Sequence, residues 1–287
     1  MADYDYGDFE DDVGLDAEGK QHFKARDEWL KMTAKGQVYR AAFLYFHPFD
    51  ANAVAAARVA AKKEGKTLSK EEIVAVARKS LEARAQALSK TVDQLTDIDK
   101  LDLSSVHFKK MQAHYSEGVG FVLSRLGKDG VDADSIWKRL PEPKLYFTTL
   151  LLLYPTDREG NLDKEGIKRQ EWRLIPWRFG KQVYEDIWKQ NEGLRENGFS
   201  LAGQDIKLEC KDIQFQKIAV SFVGPAIWQK SESFKQQILS QAISFYPKLV
   251  PFREMTTDQL RAKLGLGGPA GVQDVSGGDY TELLDQV

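Results

Sequence analysis

The chain has 287 residues, 42% of them apolar, and a net charge of −2, enough for one large domain or two small ones around a sizeable core. No run approaches the ~18–20 apolar residues of a membrane-spanning helix, and the opening MADYDYGDFEDDVG lacks the basic-then-apolar order of a signal peptide. One cysteine, Cys210, excludes an internal disulfide framework and a multi-cysteine zinc site, so the expectation is a cytoplasmic protein with no membrane contact.

The charge is unevenly spread. Residues 1–20 hold eight acids against one lysine and residues 268–287 four acids and no base, which leaves +9 on residues 21–267. A basic body between acidic ends is a recurrent pattern in polyanion-binding proteins, although two solubilising tails explain the same numbers.

In chain order, residues 1–20 show no helical or strand period and predict a disordered acidic tail. VYRAAFLYFHPF, from Val38, alternates as a strand closed by Pro48. Residues 51–98 read as an inserted helical hairpin: an alanine-rich helix stopped by Gly65, then a second helix opened by a Ser69–Glu72 capping box and running to about Lys90. VHFKKMQAHY and VGFVLSRLG read as short strands, and WKRLPEPK as a loop. KLYFTTLLLLY is apolar on both faces, as a buried central strand is. QEWRLIPW is a strand whose Pro176 marks a bulge or an edge, and FGKQVYEDIWKQ predicts a helix. IKLECK turns Ile206, Leu208 and Cys210 inward; DIQFQKIAVSFVGP continues as a strand or hairpin, and SESFKQQILSQAISF predicts a helix. Residues 251–267 predict a short helix, capped by Thr256 or Thr257 and ended by Gly265, before a flexible acidic tail at 268–287. The sum is a mainly β, α+β chain. Its expected core, residues 21–250, is a five-stranded partly open barrel like an oligonucleotide-binding (OB) fold, with the helical insertion and C-terminal helices.

Known catalytic signatures are missing: there is no P-loop, GxGxxG, GxSxG or HExxH. His107 and His114 are seven apart, which is not ligand spacing on a helix, and no cysteine pair accompanies them. The reading is a protein that is not an enzyme and carries neither cofactor nor metal.

What is present is aromatic residues interleaved with bases, in QVYRAAFLYF, HFKKMQAHY, WKRLPEPKLYF and EWRLIPWRFGK. A ring in a strand is most often core. Rings repeated beside bases also suit a surface that stacks nucleobases and neutralises phosphates. These segments nominate Tyr39, Arg40, Lys109, Lys110, Lys138, Arg139, Lys144, Tyr146, Phe147, Arg173, Trp177, Arg178 and Lys181.

Three segments carry a family resemblance. WRFGKQVYEDIW, from Trp177, is similar to the aromatic-RFGK-helix segment of the T-even bacteriophage single-stranded DNA-binding (helix-destabilising) proteins. SIWKRLPEPKLYFTTLLLLYPTD resembles that family's basic loop, adjacent ring pair and apolar strand, and EMTTDQLRAKLG its helix before an acidic tail. The order of parts agrees over about Trp29–Gly265. The resemblance implies an OB-fold core acting in phage DNA replication, recombination and repair, in the bacterial host cytoplasm if the chain is phage-encoded. It places the basic loop on Lys138 and Arg139, the ring pair on Tyr146 and Phe147, and the ring-arginine pair on Trp177 and Arg178. Further DNA-contacting rings fall near Tyr115 and Phe215. It also implies that the C-terminal tail, with Asp279, Tyr280, Glu282, Leu283, Leu284 and Asp285, binds replication, recombination or transcription proteins. Two departures stand out: the family's zinc knuckle has no counterpart in HFKKMQAHYSEGVGF, and its basic N-terminal arm, which drives self-association, is replaced by MADYDYGDFEDD. The expected function is sequence-tolerant binding of single-stranded DNA; the alternative is a phage transcription or replication cofactor working through protein contacts of its acidic tails.

Overall fold

The computed structural model describes residues 29–116, 119–123, 140–157, 161–212, 217–249, 252–255, 259 and 262. Its strands are β1 (Val38–Phe43), β2 (Phe46–Pro48), β3 (Leu101–Val106), β4 (Lys109–Ser116), β5 (Val119–Leu123), β6 (Lys144–Leu153), β7 (Arg173–Gly180), β8 (Gln204–Cys210), β9 (Ile218–Pro225) and β10 (Arg253–Met255). Among the described residues six α-helices accompany them: α1 (Phe49–Lys63), α2 (Lys70–Ala87), α3 (Asp97–Lys100), α4 (Lys164–Lys168), α5 (Lys181–Glu196) and α6 (Glu232–Ile243).

Strand β6 is the hub. Every residue from Phe147 to Leu153 is buried, as a strand covered on both faces requires, and each of its four buried leucines stabilises the fold by roughly 1.5–3 kcal/mol. Along one edge β6 pairs antiparallel with β7, from Tyr146↔Gly180 to Leu153↔Arg173. Its other edge is shared: Lys144–Thr148 pair with β4, and Leu151–Leu153 with β1. Beyond β4 lie β5 and β10, beyond β1 lie β8 and β9, and β2 and β3 form a separate two-stranded ladder. Among the described residues the main sheet has eight strands and closes no barrel. The expectation of a five-stranded barrel is therefore corrected to a larger branched sheet in a mixed α+β chain.

Pro176 sits inside β7, an edge strand within this sheet, where its missing N–H breaks no ladder; its carbonyl accepts from Leu30 N at 2.8 Å. The stretch read as one strand from Val38 to Pro48 is two. The Tyr246 hydroxyl donates to Leu44 O at 2.9 Å, and Phe46 N donates to it at 3.3 Å. One side chain thus satisfies the backbone where the chain leaves β1 for the ladder with β3. Residues 106–115 also divide, at His107 and Phe108.

The helical insertion forms as read, with a Ser69–Glu72 capping box and a left-handed Gly65 (φ 71°) after α1. Helix α2 stops at Ala87, short of Lys90, because Ser89 also turns left-handed at φ 54° and Lys90 N folds back to Ala85 O. Residues 251–267 are not simply helical: Arg253–Met255 form β10, parallel to β5, and the rest of that segment, Phe252, Gln259 and Ala262 apart, lies outside the described residues.

The two faces of the β6–β7 ladder are finished differently. Phe147, Trp177 and Phe179 meet α5, where the Phe147 ring stacks on Tyr184 with centroids 3.7 Å apart and planes 4° from parallel. Phe108 meets Phe43, Phe179, Tyr184 and Trp188 edge-on. On the opposite face, Thr148 Oγ1 donates to Leu249 O at 2.8 Å, which ties down the segment leading to Phe252 and β10.

Candidate nucleic-acid interface

Side chains alternate across a strand, so adjacent residues leave on opposite faces. Phe147 enters the core and Tyr146 emerges on the other side. Tyr146 pairs with Gly180 and Thr148 with Arg178, so Arg178 leaves on the Tyr146 face. The Arg178 guanidinium lies 5.6 Å from the centroid of the Tyr146 ring and 5.1 Å from that of Phe252, and these two rings are 4.9 Å apart at 54°. Cation–π attraction of this kind contributes about 0.5–1 kcal/mol at exposed sites and holds a long side chain in one place.

Tyr115 extends the patch. It pairs with Gly120 across the β4–β5 ladder and is 41% exposed. A Cβ added to Gly120 would lie 2.5 Å from ring carbons of Phe252 and 3.0 Å from Tyr115 Cε2; only glycine lets both rings lie down on this strand. Burial pushes the Tyr146 phenol above its ordinary pKa, Arg178 opposes that, and Tyr115 adds to it. Lys144, two residues before Tyr146, leaves β6 on the same face, exposed at the strand's start. Neither Lys144 nor Arg178 makes an ion pair among the described residues. The result is a ring-lined face with two cations that make no ion pair among the described residues, suited to a ligand that offers flat apolar faces and negative charge together.

Tyr115, Lys144, Tyr146 and Arg178 are thus brought together, and Lys109, level with Thr148, leaves the sheet on their side. Other nominated residues are not part of this face. Trp177 is 1% exposed and Phe147 3% exposed; their rings are taken up by Phe179, Tyr184 and the core, so their expected stacking role is corrected to a packing one. Arg40 reaches the buried carboxylate of Asp205 at 3.8 Å, and Tyr39 accepts from Gln37 Nε2 at 2.6 Å while packing on the core; both belong to the β1–β8 end. Lys110 pairs with Phe147 and leaves on the opposite face. Lys181 is engaged by Glu185 at 3.4 Å, and Arg173 sits at the far end of β7, roughly 17 Å along the strand from Arg178. Lys138, Arg139, Phe215, Asp279, Tyr280, Glu282, Leu283, Leu284 and Asp285 lie outside the described residues.

Sequence reasoning missed Phe252 and Gly120. Phe252 sits in PFRE, a ring beside a base like the four segments singled out, and that pattern was its only signal. Gly120 had none, because its role depends on what lies above it.

Among the described residues, no group of three or more histidine, cysteine or acidic side chains is placed to hold a metal ion, and no helix is long and apolar enough to cross a membrane. No family model matches the chain, and neither a curated protein nor a solved structure shows significant similarity to it.

Proposed function

We propose that this protein binds single-stranded DNA without strong sequence preference, by laying bases on Tyr115 and Tyr146 and phosphates against Arg178 and Lys144. One observation carries the reading: an exposed arginine, free of any acid among the described residues, is clamped over Tyr146 and Phe252 with the open Tyr115 ring alongside. Every nucleobase has a π-face, so such a platform tolerates any sequence. A duplex hides those faces and a single strand presents them. The +9 charge of the body supports a polyanionic partner. An OB-like use of the sheet is part of the proposal, supported by a long strand, β6, that serves two ladders along one edge. The role in phage replication, recombination and repair, and recruitment of partner proteins by the acidic C-terminal tail, follow from the family resemblance and are proposed on that basis.

The test is anisotropy of a fluorescein-labelled oligothymidine, read against the matching duplex. Label on the DNA is preferable to intrinsic fluorescence, because Trp177 and Trp228 are buried. Tighter binding of the single strand, lost on replacing Tyr115 and Tyr146 together, supports the proposal. Equal affinity for duplex, or no effect of the double replacement, overturns it.

A further inference from the structure

Lys109, Thr148 and Arg178 stand in one row across β4, β6 and β7, and residues level with one another in a sheet project on the same face. Beside Lys109 are His47, from β2, and His107, just before β4. Their rings stack with centroids 3.3 Å apart and planes 31° from parallel. The surroundings of the pair offer little negative charge. Tyr45 meets both rings edge-on at 5.8 and 5.1 Å, and Tyr246 packs on Tyr45 at 4.9 Å. The Asn52 side chain of α1 is hydrogen-bonded to His47, and its Nδ2 donates to Asp102 of β3 at 2.7 Å. The Asp102 carboxylate also accepts from Ser104 N and Oγ. Neither histidine makes an ion pair among the described residues, and both residues are partly exposed.

Three basic side chains on one patch, two of them ring-stacked, repel any proton added to them. Burial first, then His47, then Lys109, pushes the His107 imidazole down to about 3. Burial, with Lys109 adding to it, also lowers His47, against the pull of Asn52. An oxyanion in contact with the rings reverses the sign of that local field and accepts the N–H bonds of a protonated ring.

We propose that His47, His107 and Lys109 form a phosphate subsite on the same face as Tyr146 and Arg178, and that the phosphate enters together with one proton from solvent. This rests on the single-strand reading of that face. The proton comes to reside on the histidine pair and is shared with no carboxylate. Burial lowers the Lys109 ammonium from its ordinary value, and a phosphate beside it favours the charged form again. Binding is therefore linked to pH in a window where the phosphodiester itself does not titrate.

The experiment follows the histidine ring signals by NMR in the full chain, from pH 5 to 8, free and with saturating oligothymidine, with anisotropy titrations at the same pH values. The expected result is that one of the two imidazoles, neutral in the free protein, titrates near the ordinary histidine value of about 6.5 when DNA is bound. Affinity should then tighten about tenfold between pH 7.5 and 5.5, and His107→Gln should flatten that dependence. The wild-type ring signals decide the matter even where the variant folds poorly. If oligothymidine binds but the ring titrations do not move and the affinity profile is flat, the subsite is overturned and the single-strand reading stands. If oligothymidine does not bind at all, that reading fails, and inorganic sulfate, whose charge is constant over this range, tests the subsite alone. Sulfate that raises either ring's titration supports an anion site used by another phosphate-bearing ligand; sulfate that moves neither overturns the subsite as well.

Discussion

The Phe147 ring lies parallel to that of Tyr184 at 3.7 Å, and this contact decides the orientation of its neighbour. With Phe147 committed to α5, Tyr146 has to leave β6 on the other face, beneath Arg178 and beside Phe252. One stacking contact inside the core thus sets which member of an adjacent ring pair is available outside it.

Ring replacements should separate the two faces. Tyr115→Ala and Tyr146→Ala are each expected to weaken single-strand binding by about 1–3 kcal/mol, with thermal unfolding little changed for exposed Tyr115. Trp177→Ala and Phe147→Ala are expected to cost about 3–5 kcal/mol of stability. Denaturant titration beside anisotropy distinguishes them. A folded Trp177→Ala protein with a specific binding defect would show that this ring leaves the core to meet DNA.

Charge replacements should act through salt. Each cation that neutralises a phosphate adds roughly 0.7 to the slope of log K against log salt for a single strand. Arg178→Ala and Lys144→Ala should each flatten the slope by about that amount and lower affinity for all sequences alike. Arg173→Ala, at the far end of β7, should leave the slope unchanged. A slope insensitive to Arg178 removes it from the phosphate path.

Gly120 offers a test that touches no polar group. Gly120→Ala places a methyl against the Phe252 ring at 2.5 Å, so the ring or the strand has to move. Overpacking of this kind costs about 1–3 kcal/mol. Because Phe252 is one of the two rings beneath Arg178, affinity should fall along with stability. Unchanged binding in a destabilised variant would mean that Phe252 has no part in holding Arg178.

Asp205 predicts a pH dependence of stability. Burial pushes its carboxyl up to about 6, against the Tyr154 hydroxyl, Arg40 and the Ile227 N–H, which favour the charged form. In the unfolded chain an aspartate titrates near 3.9. Between about pH 4 and 6 the native state therefore holds the extra proton, and this group's contribution falls as pH rises through that window, by roughly 3 kcal/mol in all. Asp205→Asn keeps an acceptor for Tyr154 and abolishes the step, so its stability relative to wild type should rise from pH 4 to 7 in urea unfolding. A constant difference across that range would mean that Asp205 titrates normally.

Local signals were legible wherever the chain's own chemistry decides the outcome. Ser69 and Glu72 cap α2 because the partners lie three residues apart, Gly65 ends α1 because glycine adopts a positive φ without penalty, and LLLL in β6 is central because only a strand covered on both faces can be apolar at every position. Periodicity likewise placed Ile206, Leu208 and Cys210 inside. Beyond that reach were the break at Leu44, set by a tyrosine about two hundred positions away, and the number of strands in the sheet. The division of the rings was equally hidden: Trp177 and Phe147 carry the same sequence signal as Tyr146 and Tyr115, namely an aromatic residue near a base. Alternation says that neighbours face opposite ways, but not which way is inward. That choice was made by α5 folding over one face of the sheet and the segment bearing Phe252 over the other, because a ring is available to a ligand only where no other part of the chain has already covered it.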